Sequence, residues 1–211
     1  MSNLSSHSLT VFLGFFAIMN PIANTPIFIG LTGDDDLATR KQIALRSLIT
    51  AFLIVFLFCI LGKVIFELFG ITLPAFRITG GALIILVGFQ MLHGEQSTIH
   101  NPTKEDTSNA KEAKLSIAVS PLAMPILAGP GTIATAMNYS ATGNILEIVI
   151  TVTSFAVLCG ITYLFFIFGQ RLVKFIGVNG INVVTRLMGL ILAVIGTQMV
   201  IQGIHEAKML F

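Results

Sequence analysis

The sequence predicts an all-α polytopic membrane protein that crosses the bilayer six times, as two inverted repeats of three helices. Apolar residues make up 55% of the 211 residues and charged residues only 10%, whereas soluble domains carry about 25% charged residues. The ranges 1–33, 115–146 and 148–170 contain no Asp, Glu, Lys or Arg, and each is longer than the ~20 residues that cross a bilayer. Proline and glycine motifs that recur at a nearly constant spacing predict the repeat.

Three shorter apolar runs complete a set of six transmembrane segments. The backbone of each segment must satisfy its own hydrogen bonds in lipid, which makes the segments helices. The alternating stretches of ~10 residues that are typical of a membrane β-barrel do not occur. The predicted spans are 9–31, 44–68, 76–93, 115–139, 145–168 and 184–204.

Basic residues are concentrated in alternate loops. The loops after the first, third and fifth segments carry most of them, whereas the other two loops and both termini hold only Arg77 and Lys208. Because cytoplasmic loops are rich in Lys and Arg, the predicted protein is a multi-pass protein of the inner (plasma) membrane with both termini outside.

Two pairs of prolines mark equivalent points of the first and fourth segments. Pro21 and Pro26 recur as Pro125 and Pro130, both after 104 positions. A proline removes a backbone donor and clashes with the preceding turn. Each pair therefore predicts a helix that is broken at mid-membrane. The open alternative is that the prolines only kink their helices.

The third and sixth segments share a second motif, with four residues recurring after 108 positions and Arg77 recurring as Arg186 after 109. The four pairs are Gly81 and Gly189, Gly88 and Gly196, Gln90 and Gln198, and Met91 and Met199. Since each copy has three helices, the second must enter the membrane from the opposite side, as in many secondary transporters. The predicted units are a first repeat at 1–93, a polar cytoplasmic linker at 94–114 and an inverted repeat at 115–211.

The two breaks form the predicted substrate site. The N-terminus of a half-helix favours a carboxylate, and freed carbonyls and side-chain oxygens favour an ammonium group or a cation. The predicted site residues are Asn20, Pro21, Asn24, Thr25, Pro26, Pro125, Gly129, Pro130, Gly131 and Thr132.

Arg77 and Arg186 are the second candidate pair, each near the start of its helix. A charge within a membrane is costly and is usually paired or functional, but a long side chain near a helix end also reaches the interface. Gating of the substrate path, pairing with another group and anchoring at the interface all remain open for these two arginines.

The sequence carries no catalytic signature of the common hydrolases or nucleotide-binding enzymes. Its four histidines are scattered, and Cys59 and Cys159 lie in apolar surroundings that favour a buried small side chain. We therefore expect no enzyme activity, no cofactor, no metal site and no nucleic-acid partner.

Several motifs together resemble the MarC family of small six-helix membrane proteins, and the resemblance covers nearly the whole chain. They are Asn20-Pro21 with Pro26, Phe76-Arg77-Ile78-Thr79-Gly80-Gly81, the run from Pro121 through Pro125 to Gly129-Pro130-Gly131, and Gly180-Ile181-Asn182 with Thr185-Arg186-Leu187-Met188-Gly189.

The resemblance implies a transporter of small neutral amino acids, such as alanine, glycine, serine or threonine, acting as an exporter or exchanger by alternating access. The small residues Ala23, Ala128, Gly129 and Gly131 leave room for a small substrate at the two breaks. The coupling ion, H⁺, Na⁺ or neither, stays open. Two other functions also stay open: a gated channel or pore for small polar solutes or ions, and a non-transporting membrane scaffold.

Overall fold

The computed structural model describes residues 2–32, 35–93, 127–140 and 144–210. Within these ranges the regular structure is helical throughout. The helices are α1 (Ser2–Met19), α2 (Pro21–Leu31), α3 (Leu37–Phe69), α4 (Leu73–His93), α5 (Pro130–Ser140), α6 (Ile145–Ile167) and α7 (Gly169–Leu210).

Five stretches of the described chain are long and apolar enough to cross a membrane. They are Ser5–Leu31, Leu37–Gly62, Leu73–His93, Ile145–Ile167 and Asn179–Met209. They coincide with five of the six predicted spans. The remaining predicted span, 115–139, is described only from residue 127, where it includes α5.

The outer surface of these helices is apolar. Leu53, Val157 and Ile201 are each more than half exposed, although they lie in the middle of long helices. A contiguous apolar exterior of this kind is not hydrated in a soluble protein and marks a membrane surface. The described helices therefore form a polytopic membrane protein with side chains that face lipid.

Helix α3 begins at Leu37, well before the predicted boundary at residue 44. Asp36 caps its N-terminus by accepting a hydrogen bond from the N–H of Ala38 at 3.2 Å. The first turns carry Arg40 and Lys41. Hydropathy detects only the part of a helix that crosses hydrocarbon, so it misses a charged extension of this kind.

Helices α4 and α7 pack against each other through glycines and run antiparallel. A Cβ atom placed on Gly81 would lie 2.6 Å from the carbonyl oxygen of Gly196, and one on Gly196 would lie 2.6 Å from the carbonyl oxygen of Gly81. Gly88 and Gly189 make the same reciprocal contact at 2.7 Å. The two backbones approach as closely as only glycine permits, which is typical of helix pairs in membranes.

A bend divides α7 into a short first part and a long second part. Gly177 has φ 71 and ψ 162, outside the helical region, and glycine takes up this conformation at little cost. The first part carries the exposed Arg171 and Lys174 and ends next to Phe175, which is 90% exposed. The second part contains the membrane span.

Two apolar clusters hold the remaining helices around α5. The larger joins α1, α2, α3 and α6, with Phe28 and Phe166 stacked at 4.4 Å between ring centroids. The smaller joins α1 to α4 and α7 through Ile18, Ile84 and Leu192. Helix α5 contacts α1, α3, α4 and α6. It is therefore enclosed by helices from both halves of the chain.

Candidate functional site

The first membrane helix is interrupted at Asn20, as predicted. Helix α1 ends at Met19 and α2 begins at Pro21. Between them Asn20 has φ 40 and ψ 71, in the left-handed region, where asparagine is enriched among residues other than glycine. Pro21 carries no N–H and takes the first position of α2, where a donor is not needed. The second proline, Pro26, lies inside α2 without interrupting it.

Side chains at this break satisfy much of the freed backbone. The Asn20 Oδ1 atom accepts a hydrogen bond from the N–H of Ala23 at 3.2 Å and caps α2. The Asn24 amide donates to the carbonyl of Met19, the last residue of α1. The Thr25 hydroxyl donates to the carbonyl of Pro21 at 2.7 Å. Asn20, Asn24 and Thr25 are all buried, so a polar centre lies within an apolar bundle.

One donor at the break is left without a partner. The Asn20 Nδ2 atom is buried and makes no hydrogen bond within the part of the chain that the structure describes. The residue is only 3% exposed. A buried polar group without a partner costs about 1–3 kcal/mol and calls for a functional explanation. A ligand acceptor is one such explanation, because the same carboxamide sits at the N-terminus of α2.

The second break lies at Gly129 and Pro130. Helix α5 starts at Pro130, and its first internal bond runs from the N–H of Ile133 to the carbonyl of Gly129 at 3.0 Å. Thr132, in the first turn, is only 2% exposed. The predicted site residue Pro125 lies outside the described residues. Within the described residues, α5 starts at the second proline of its pair, whereas α2 starts at the first proline of its own.

The second break meets α1 close to the first break. A Cβ atom on Gly131 would lie 2.5 Å from the Cδ1 atom of Ile18, two residues before Asn20. A side chain at this position would require the end of the Ile18 side chain to shift. The structure therefore brings the N-terminus of α5 against the C-terminal turn of α1, which is the last turn before the first break.

A cavity of about 20 Å³ lies at this contact. Space of this size holds about one water molecule, which is too small for an amino acid. It is lined by Ile18, Leu83, Val87, Gly129, Pro130, Gly131 and Thr132. The lining includes the described residues of the second break but none of the polar residues of the first. The predicted site is thus assembled only in part, in a closed arrangement.

The polar residues of the first break face other neighbours. A Cβ atom on Gly169, at the start of α7, would lie 2.6 Å from the Thr25 Cγ2 atom. The Thr162 hydroxyl of α6 lies 3.5 Å from the Met19 sulfur. The first break is therefore covered by the end of α6 and the start of α7.

A larger apolar groove of about 330 Å³ lies between α3 and α6. It is lined by Leu45, Leu48, Ile49, Phe52, Ala156, Cys159, Gly160 and Tyr163. It opens to the outside of the bundle and offers few polar groups, so it does not suit a charged or zwitterionic solute.

The two predicted arginines occupy different environments. Arg77 is buried; its Nε atom donates to Asn138 Oδ1 at 2.9 Å, and its Nη1 atom forms an ion pair with Glu206. Arg186 is exposed. Arg77 is therefore a buried, paired residue, whereas Arg186 is exposed and does not share its environment.

The spacing of the repeat explains this difference. The glycines that pack α4 on α7 recur after 108 positions, whereas Arg77 and Arg186 are 109 apart. One residue turns a helix by about 100°, so under the predicted repeat Arg186 faces a different side from Arg77, and Thr185 is the position 108 residues after Arg77.

Two functional candidates were missed by the sequence reasoning. Glu206 is the only acidic residue after Glu147, and a lone carboxylate near the end of an apolar helix is a signal for a charge partner. Asn138, near the end of α5, carries no comparable signal, because its role depends on where α5 packs.

Nearly the whole chain is similar to known proteins. A family model described as MarC family integral membrane protein matches residues 5–208. The UPF0056 membrane protein YvbG of Bacillus subtilis is 39% identical over 198 residues, covering 92% of each chain. The UPF0056 membrane protein MJ1677 of Methanocaldococcus jannaschii is 36% identical over 94% of this chain and 96% of its own. The UPF0056 membrane protein YhcE of Escherichia coli is 32% identical over 92% and 89%. No solved structure matches the chain.

Proposed function

The chain belongs to the MarC family of integral membrane proteins, and from that premise we propose that it is a secondary transporter of small neutral amino acids. The proposed substrates are alanine, glycine, serine and threonine, exported or exchanged by alternating access. The proposed site is formed by the two helix breaks, with Asn20, Asn24 and Thr25 on one side and Gly131 and Thr132 on the other.

The observation that carries the proposal is the unpartnered amide of Asn20. It is a buried donor at the N-terminus of α2, where the helix dipole also favours negative charge. The N-terminus of α5 supplies a second set of unpaired N–H groups. A substrate carboxylate matches donors of this kind. The Thr25 and Thr132 hydroxyl oxygens are acceptors available to its ammonium group.

Substrate size follows from the contact between the breaks. Gly131 and the Ile18 side chain nearly fill the space, and the cavity beside them holds about one water. A small side chain needs only a modest separation of α5 from α1, whereas an aromatic one needs a large separation. The small size of this cavity also favours a carrier over an open pore, because a pore needs a wider passage at the breaks.

An inverted repeat with six helices supports alternating access. Several matched features of the two halves favour such a repeat. Asp36 and Asn144, 108 positions apart, cap α3 and α6 in the same way, each accepting from the N–H two residues on. Gly70 and Gly177, 107 apart, both have positive φ. The glycine contacts between α4 and α7 are reciprocal, as a two-fold relation requires. We propose the units 1–93 and 115–211, with the linker 94–114 between them.

The same topology supports an orientation. With alternate basic loops on the cytoplasmic face, both termini of an inner-membrane protein lie outside. The end of α4 at Leu73 and the end of α7 at Leu210 then face outward. A proton or sodium ion remains the proposed class of coupling ion, if transport is coupled.

The experiment is counterflow in proteoliposomes with labelled glycine, alanine, serine and threonine. Asn20→Ala should lower saturable flux by roughly tenfold or more, since a hydrogen bond to a charged group contributes about 1.5–3 kcal/mol. Asn144→Ala is the matched control. Both variants lose a helix cap, at a cost of about 1 kcal/mol, but Asn144 lies at an exposed helix end.

The outcomes separate the candidate functions. Saturable counterflow that Asn20→Ala removes and Asn144→Ala retains supports a carrier with its site at the first break. Conductance without counterflow indicates a pore. A folded wild-type protein with neither activity contradicts transport and favours a membrane scaffold.

A further inference from the structure

We propose that Arg77, Asn138 and Glu206 form a latch that holds the half-helix α5 closed against α4 and α7. The latch lies away from the substrate site and controls access to it from one side of the membrane. The inference rests on the proposed function, because it names the gate of the same site.

The latch joins three helices through one guanidinium group. Arg77 on α4 donates from Nε to Asn138 on α5 at 2.9 Å, and from Nη1 to Glu206 on α7. Arg77 takes part in both contacts. It therefore links α5 to the antiparallel pair of α4 and α7. Loss of either contact leaves a buried charge with incomplete pairing, which is costly.

Helix α5 connects the latch to the substrate site. It has 11 residues, which corresponds to ~16 Å at 1.5 Å per residue. Its first residue, Pro130, lines the cavity at the second break, and Asn138 lies in its last turn. A rigid rod of this length carries a displacement at one end to the other. Release at Asn138 therefore changes the contact between Gly131 and Ile18.

The way α5 packs leaves it more freedom to shift than the pair α4 and α7 has. Helices α4 and α7 meet backbone to backbone at Gly81, Gly88, Gly189 and Gly196, and this contact has little freedom to slide. Helix α5 instead meets its neighbours through side chains. A Cβ on Gly80 would lie 3.3 Å from the Ala134 Cβ, and one on Gly62 would lie 3.6 Å from the Met137 Cε.

Glu206 is placed so that the latch can open. About a third of its side chain is exposed (31%), whereas the Arg77 side chain is 8% exposed. The Gln202 Nε2 atom donates to the same carboxylate at 3.3 Å. Water and Gln202 therefore keep Glu206 solvated when Arg77 leaves it. Arg77 lies near the first turn of α4, beside this partly exposed carboxylate, so solvent lies close to its charge when the ion pair opens.

A native thiol reports on the position of α5. Cys59 on α3 is buried, 3% exposed, in the apolar cluster that also includes Ala136 of α5. Displacement of α5 from α3 uncovers this thiol. The second cysteine, Cys159, lines the open groove between α3 and α6 and is removed by Cys159→Ser, which leaves one thiol to follow.

The test is the labelling rate of Cys59 by a charged maleimide, with the protein in lipid nanodiscs so that both faces are accessible. Glu206→Gln and Asn138→Ala should each raise the rate about tenfold or more, equivalent to a shift of ~1.4 kcal/mol towards the open state. Asn138→Ala is the sharper variant, because it releases α5 and leaves the ion pair of Arg77 with Glu206 intact.

Arg186→Gln is the matched control, since it removes an exposed arginine from the other repeat, and it should leave the rate unchanged. Rates in Glu206→Gln and Asn138→Ala that equal the wild-type rate would overturn the latch. An equal rise in Arg186→Gln would also overturn it, because the rise would then reflect general loosening. Labelling requires no substrate flux, so a failed latch and a failed transport function are distinguishable.

Discussion

Asn20 combines three properties at a single position. Its backbone is left-handed, its Oδ1 atom caps α2, and its Nδ2 atom has no hydrogen-bond partner among the described residues. Glycine would keep the backbone conformation but lose both side-chain groups, and aspartate would keep the cap but lose the donor. The amide is the feature that distinguishes a candidate binding residue from a residue that only ends a helix.

The contact of Gly131 with Ile18 leads to a prediction about flux. Gly131→Ala places a Cβ 2.5 Å from the Ile18 Cδ1 atom, and overpacking of this kind costs about 1–3 kcal/mol. We expect the variant to fold, because the end of a flexible side chain can shift, but to lose about tenfold in counterflow as the breaks are forced apart. Ile18→Val removes the Cδ1 atom and should restore flux in the double variant. Equal flux in wild type and Gly131→Ala would show that this contact is not part of the site.

The arginines show what residue spacing alone predicts and what it does not. A charged residue near the start of both helices indicated a matched pair, and Arg77 does have a partner. The spacing of 109 instead of 108 already carried the information that Arg186 faces elsewhere. The partner Asn138 was beyond the reach of the sequence, because a contact between distant helices depends on how they pack.

Among the helices, the pair α4 and α7 should be the most sensitive to added volume. A Cβ on Gly88 would lie 2.7 Å from both the Gly189 carbonyl oxygen and the Ala193 nitrogen, and backbone atoms cannot move aside as a side chain does. We expect Gly88→Ala to destabilise the protein by about 3 kcal/mol, at the upper end of overpacking costs. Thermal unfolding in detergent measures the effect.

Gly160→Ala is the control for this prediction. A Cβ at Gly160 meets nothing within 4 Å, and alanine is about 1 kcal/mol better than glycine in a helix interior. Its midpoint should stay the same or rise. If Gly88→Ala and Gly160→Ala had the same midpoint of thermal unfolding, the close packing of α4 on α7 would be contradicted.

The presence of membrane-spanning helices was predictable from the sequence, but their boundaries and break points were not. The apolar runs predicted five membrane spans that the structure describes, since length and hydropathy decide them. The proline pairs predicted a break in the first helix but not which proline lies at it. Pro26 fits inside α2, whereas its counterpart Pro130 starts α5. Asn20 caps α2 in the first segment, which accounts for the start of α2 at Pro21.

In the whole molecule, the half-helix α5 contacts helices from both halves of the chain and separates the proposed site from the proposed latch. The sequence predicted a polytopic membrane protein. It also led to the hypothesis that the two helix breaks together form one site. The contact between them, at Ile18 and Gly131, required the packed structure. The cavity of about 20 Å³ between α1, α4 and α5 is too small for an amino acid, so the proposed transport requires α5 to move against α4.

A reversible cross-link provides the means to stop this movement. A Cβ atom placed on Gly80 would lie 3.3 Å from the Ala134 Cβ, near the Cβ separation of about 3.5–4.5 Å found in disulfides. Gly80→Cys with Ala134→Cys, in a chain that carries Cys59→Ser and Cys159→Ser, joins α4 to α5 without touching the break residues.

Counterflow of labelled alanine in proteoliposomes containing this cross-linked variant tests the central claim most directly. A carrier that works by movement of α5 should show saturable counterflow when reduced, none when oxidised, and full recovery on addition of a reductant. Equal counterflow in the oxidised and reduced protein would contradict movement of α5 against α4. Absence of counterflow in the reduced variant and in the wild type would contradict amino acid transport itself.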